Sequence, residues 1–120
     1  MAVTFVEIED RYKPKTTDQT IFVSVIIGDA GVGGYVTFLD MVLKGVNKRA
    51  SLGKASAVLG KRTTVSVTVP DVLEETNWTS ITVLIEEGST KTKYGPYRKE
   101  VVQHLDTVCF VVKILNTDEF

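Results

Sequence analysis

Apolar and polar residues alternate with a period of two along most of this chain. Ile21, Val23, Val25 and Ile27 alternate with Phe22, Ser24 and Ile26, and Val65, Val67 and Val69 with Thr64, Ser66 and Thr68. Ile81, Val83 and Ile85 alternate with Ser80, Thr82 and Leu84, and Val108, Phe110, Val112 and Ile114 with Cys109, Val111 and Lys113. Successive side chains on an extended strand point to opposite faces, so each run predicts a strand with one dry face and one wetter face. Ser and Thr at the intervening positions suit a half-exposed pleated surface. One wet and one dry face is the mark of antiparallel sheets.

Turn residues separate the runs: Lys13-Pro14-Lys15-Thr16-Thr17-Asp18, Gly28-Asp29-Ala30-Gly31, Pro70-Asp71, Glu87-Gly88-Ser89 and Tyr94-Gly95-Pro96-Tyr97. Their spacing predicts an all-β sandwich of about seven to nine short strands with little or no helix. No segment combines long 3.6-residue periodicity with caps at both ends. Residues 72–76, behind the cap residue Asp71, make at most one helical turn. Residues 98–104 are a weaker candidate, because Val101-Val102 favours a strand. With 120 residues the chain is expected to form one domain, 1–120.

Composition narrows the role. The formal net charge is −1, so no global field draws the protein to nucleic acid or to a membrane. The charges are unevenly placed: residues 41–70 hold Lys44, Lys48, Arg49, Lys54, Lys61 and Arg62 without an acid, and Asp71, Glu74, Glu75, Glu86 and Glu87 follow without a base. The basic block lacks the interleaved aromatics of nucleic-acid surfaces, so both blocks read as solvated faces lying near each other. No apolar run reaches the roughly 20 residues of a membrane helix. The first residues enter an alternating strand directly, with no charged start and no cleavage site of a signal peptide. The single cysteine, Cys109, lies in an apolar run and reads as a buried, inert thiol.

One stretch mimics a nucleotide site. Gly28-Asp29-Ala30-Gly31-Val32-Gly33 follows an apolar strand, as a phosphate-binding loop would. Gly34 then stands in place of the phosphate-binding lysine and Tyr35 in place of the Mg²⁺-holding Ser or Thr. Val36-Thr37-Phe38-Leu39 continues as a strand, leaving no helix N-terminus to receive a phosphate. The glycines are expected instead to form the turn between two core strands.

The stretch Gly34-Tyr35-Val36-Thr37-Phe38-Leu39-Asp40-Met41-Val42-Leu43-Lys44-Gly45 resembles the G-x-V-x-F-x-D-x-x-x-L-x-G pattern of bacterial immunoglobulin-like domains. The resemblance extends over roughly residues 20–85, through the Gly-containing segment 51–61 to the Thr/Val alternation of 62–69. It implies that Val36 and Phe38 face the core, that Asp40 ends a strand at a hairpin, and that Leu43 returns to the core. Residues 91–116 read as an additional hairpin outside the pattern. The resemblance also implies a stalk, spacer or adhesive module at a cell surface, or a part of a phage-like particle.

Few residues suggest chemistry. His104 and Asp106 share a strand face, which permits acid–base work, but read as surface residues beside a turn. One His and one Cys do not make a typical zinc site. Asp29, Asp71, Glu74 and Glu75 lack calcium-loop spacing. Ser51-x-x-Lys54 lacks its catalytic partner motifs, and Asn77-Trp78-Thr79 matches a glycosylation acceptor. The expectation is therefore a non-catalytic module with no cofactor and no metal, which binds a protein partner or itself. The alternative is a carbohydrate-binding module using Tyr94, Tyr97, Trp78 and Tyr35, with Tyr94 and Tyr97 on a rigid hairpin tip.

Overall fold

A computed structural model describes residues 3–28, 33–70, 78–101 and 106–119. Those residues form β1 (Val3–Tyr12), β2 (Thr20–Gly28), β3 (Gly34–Leu39), β4 (Val42–Val46), β5 (Ala50–Lys54), the single helical turn α1 (Ala55–Val58), β6 (Arg62–Pro70), β7 (Trp78–Glu87), β8 (Thr90–Glu100) and β9 (Thr107–Asn116). The protein is an all-β sandwich. One sheet has five strands in the order β1-β9-β6-β3-β4, and the other has four in the order β5-β2-β7-β8. Every pairing is antiparallel except β1 with β9, which run parallel.

The alternating runs put their apolar sets inside. Ile21 and Val23 of β2, Val65, Val67 and Val69 of β6, Ile81, Val83 and Ile85 of β7, and Phe110, Val112 and Ile114 of β9 are fully buried between the sheets. Val25 and Ile27 pack against this core from its margin. Strands β9 and β6 are central in one sheet, β2 and β7 in the other, which is where a dry inner face needs cover. The helical turn α1 adds Ala55 and Val58 to the core.

Connectivity departs from the expected C-terminal hairpin. Residues 91–116 do not form a hairpin with each other. Strand β8 folds back on β7 through the turn at Gly88, whereas β9 crosses to the other sheet and inserts between β1 and β6. The strong alternation of β9 explains the crossing: its four inward apolar residues are covered in a central strand and would be half-covered at an edge. Strands β2 and β3 lie in different sheets and do not pair with each other. Residues 29–32, the middle of the glycine-rich stretch, lie outside the described residues. Gly33 is there for close approach: a Cβ would collide with the Thr68 carbonyl oxygen. In an immunoglobulin constant-type domain the strands F and G follow one another. Here the β7–β8 hairpin intervenes between the neighbours β6 and β9, so the strand order departs from that pattern and only the two-sheet architecture is common to both.

Strand β3 has the opposite facing from the one its motif implied. Tyr35 pairs with Val67, Thr37 with Val65 and Leu39 with Thr63, all inward on β6. Val36 and Phe38 pair with Ser66 and Thr64 and lie on the outer face. Leu43, opposite Phe38 on β4, is exposed rather than returned to the core. Asp40 does sit at the hairpin. Its backbone N–H donates to the Arg62 carbonyl (2.9 Å), and its Oδ1 accepts from the Arg62 N–H (2.8 Å). These bonds hold Asp40 and Met41 at φ of 46° and 70°, the left-handed region that a two-residue type I′ turn requires.

Candidate functional site

The four aromatic residues singled out from the sequence do not share a surface. Tyr94-Gly95-Pro96-Tyr97 is not a hairpin tip but lies inside β8, where an extra residue bulges out of the ladder between the pairs Ile81↔Tyr97 and Val83↔Tyr94. Gly95 permits the bulge: it has φ of 105°, and a Cβ would come within 2.7 Å of the Tyr97 nitrogen and 2.9 Å of the Ile81 carbonyl oxygen. The bulge aims both tyrosines inward, beneath β1. Tyr94 is only 9% exposed and its hydroxyl donates to the Arg11 carbonyl at 2.7 Å. Burial, with the charge of Asp10 and the neighbouring Tyr97, pushes its pKa up to about 12. Tyr97 packs against the core, and its pKa is raised by burial and by Asp10.

Tyr35 faces inward from β3 in the other sheet, and its N–H donates to Asn47 Oδ1 at 2.7 Å. Trp78 is 41% exposed and sits at the start of β7 on the outer face of the four-stranded sheet, with the Arg98 guanidinium 4.9 Å from its ring centroid. Two tyrosines thus seal the seam between β1 and β8, a third sits under β3, and the tryptophan points away from all three. Asp71, Glu74, Glu75, Asn77 and His104 lie outside the described residues. Among the described residues no group of His, Cys, Asp and Glu is arranged to hold a metal ion. Cys109 is buried, with Ser66 Oγ at 3.6 Å and Thr68 Oγ1 at 3.9 Å from its sulfur. The acidic and basic blocks do meet: Arg49 Nε lies 3.3 Å from Glu86 Oε1, and its guanidinium stacks on Phe22 at 3.6 Å.

Exposed apolar side chains gather instead on the outer face of the five-stranded sheet. The pairings set them in rows running from β1 across to β4. One row is Glu7, Val111, Ser66, Val36 and Val46, and the next is Glu9, Lys113, Thr64, Phe38 and Leu43. Within each row the β1 end is acidic, β9 contributes Val111 or Lys113, β6 contributes a hydroxyl, and the β3–β4 end is apolar. Beyond that end the turn residue Met41 projects into solvent, 93% exposed. Phe38, Met41 and Thr64 line a shallow open hollow of about 220 Å³ there. Val3 and Phe5 stand exposed on β1, at the far edge of the same sheet.

The sequence did not announce this surface. Tyr35-Val36-Thr37-Phe38-Leu39 offers large side chains on both faces, so period-two reasoning alone leaves its facing open. The deciding signal is pairing: β6 alternates Val with Ser and Thr, and β3 inherits its facing from β6. No protein-family model, curated protein or solved structure matches the chain.

Proposed function

We propose that this protein is a non-catalytic, immunoglobulin-like β-sandwich module that works by protein–protein contact, as a structural or interaction part of a surface protein or a phage-like assembly. The observation that supports this most is the cluster Val36, Phe38, Met41, Leu43 and Val46 on the outer face and the β3–β4 turn. Contiguous apolar side chains on an outer sheet face, with Met41, Leu43 and Val46 exposed and Val36 and Phe38 half-buried, are what a protein interface buries. Held out by a hairpin whose turn is pinned to Arg62, Met41 is placed to anchor such a contact. The carbohydrate reading is less well supported, because Tyr94 is buried and the four aromatics diverge; it would have to rest on Trp78.

A photo-reactive residue in place of Met41 tests the proposal in the producing cell. Discrete protein adducts are expected there and not from the same residue in place of Thr82, on the outer face of the other sheet. Equal labelling from both positions, or specific glycan binding that disappears in Trp78→Ala, would overturn it.

A further inference from the structure

Resting on that interaction role, we propose that the partner is a second copy of this chain. The β4 edge of one copy pairs antiparallel with the β1 edge of the next, so that the five-stranded sheet continues from molecule to molecule. Among the described residues neither edge has a strand on its outer side, which leaves backbone N–H and C=O groups without a ladder. Both edges also expose apolar side chains on the outer face: Val3 and Phe5 on β1, 59% and 68% exposed, and Leu43 and Val46 on β4, 54% and 51% exposed.

Charge selects the combination. The β4 edge and the turn after it carry Lys44 and Lys48, within a stretch that has no acid from residue 41 to 70. The β1 edge carries Glu7, Glu9 and Asp10 against the single base Arg11. Pairing β1 with its own copy would oppose the carboxylates, and pairing β4 with its own copy would oppose the lysines. Only the unlike pairing is attractive. Direction agrees: β1, β9 and β3 run one way and β6 and β4 the other. Copies related by a simple shift across the sheet therefore present β4 and β1 antiparallel to each other. A register that sets Val46 opposite Phe5 puts Lys44, at the irregularity of the β3–β4 ladder, level with Glu7 along the edge.

The four-stranded sheet is closed to such pairing. Its β8 edge is interrupted at Gly95-Pro96 and carries Lys91, Lys93 and Lys99. Lys54 on β5 would meet those basic side chains, so charge disfavours continuation of the four-stranded sheet onto its own copy. A heterologous contact of this kind does not close on itself after one step.

Sedimentation of the whole chain tests the proposal. At concentrations up to about 1 mM and low salt the mass should rise past twice the 13.2 kDa of one copy, and it should fall back as salt exceeds about 0.5 M. Lys44→Glu/Lys48→Glu and Glu7→Lys/Glu9→Lys should each be monomeric alone, with urea midpoints near wild type. Mixing the two should restore assembly, because each supplies the edge charge that the other has lost. A wild-type mass of 13.2 kDa at every concentration overturns the proposal. So does a dimer that Lys44→Glu/Lys48→Glu leaves intact. Either result, with adducts to a different protein still forming at Met41, removes self-assembly and leaves the interaction role standing.

Discussion

Four donor groups converge on the buried carboxylate of Glu87: the Tyr12 hydroxyl (2.6 Å), the Lys15 N–H (2.9 and 3.0 Å to the two oxygens), the Thr16 N–H (2.7 Å) and the Thr16 hydroxyl (2.6 Å). They tie the segment between β1 and β2 to the end of β7. Burial by itself would raise the carboxyl pKa, but the bonds from Thr16, Tyr12 and Lys15 outweigh it and hold the group below its ordinary 4.5. Just below that value the unfolded chain takes up a proton that the folded chain refuses, so stability rises with pH there. The contribution is complete above 4.5 and is lost as pH falls through the lowered folded-state value. Urea denaturation at a series of pH values should show an acid decline in the wild type that is shallower in Glu87→Gln. At neutral pH the same substitution should cost about 1–3 kcal/mol, since hydrogen bonds to a charged acceptor are weakened. Identical acid declines in the two proteins would show that another group governs this range.

Strand β3 carries a prediction of its own, because its facing was inverted relative to the motif. Leu39 is buried against β6, whereas Phe38 is half-buried on the outer face. Leu39→Ala should therefore cost about 2–5 kcal/mol, and Phe38→Ser should change stability by no more than about 1 kcal/mol. The reverse order in chemical denaturation would mean that the strand faces the other way. The strands legible from sequence were those whose two faces differ in chemistry. In β6 and β7, Val and Ile alternate with Ser and Thr, so one glance assigns the inside. In β3 both faces are large and apolar, and β8 is mostly Thr, Lys and Tyr, so their placement came from neighbours and not from their own residues. The helical turn α1 has four residues, too few to display a period. Of the candidate site, Gly95-Pro96 signalled a break correctly, but a bulge and a hairpin tip share that signal. The exposure of Phe5 and Met41 was invisible, because it depends on which strands end up at the sheet edges.

At the scale of the whole molecule, the ladder between β1 and β9 joins residues from opposite ends of the sequence, from Val3 with Thr107 to Tyr12 with Asn116. Closing so long a loop is entropically costly and rewarded late, so this ladder is expected to form after the rest of the sandwich. Ile8→Ala, at the margin of the core on β1, should speed unfolding and leave the folding rate nearly unchanged in stopped-flow measurements. A matching loss in folding rate would place β1 in the nucleus instead. The same ladder has a mechanical consequence. Because β1 and β9 run parallel, tension applied between Val3 and Asn116 pulls the two strands past each other along their length. Their ten rungs are loaded together in shear, not peeled one at a time, and none can yield until the whole set slips. A molecule strung at those two points would resist extension like a lap joint.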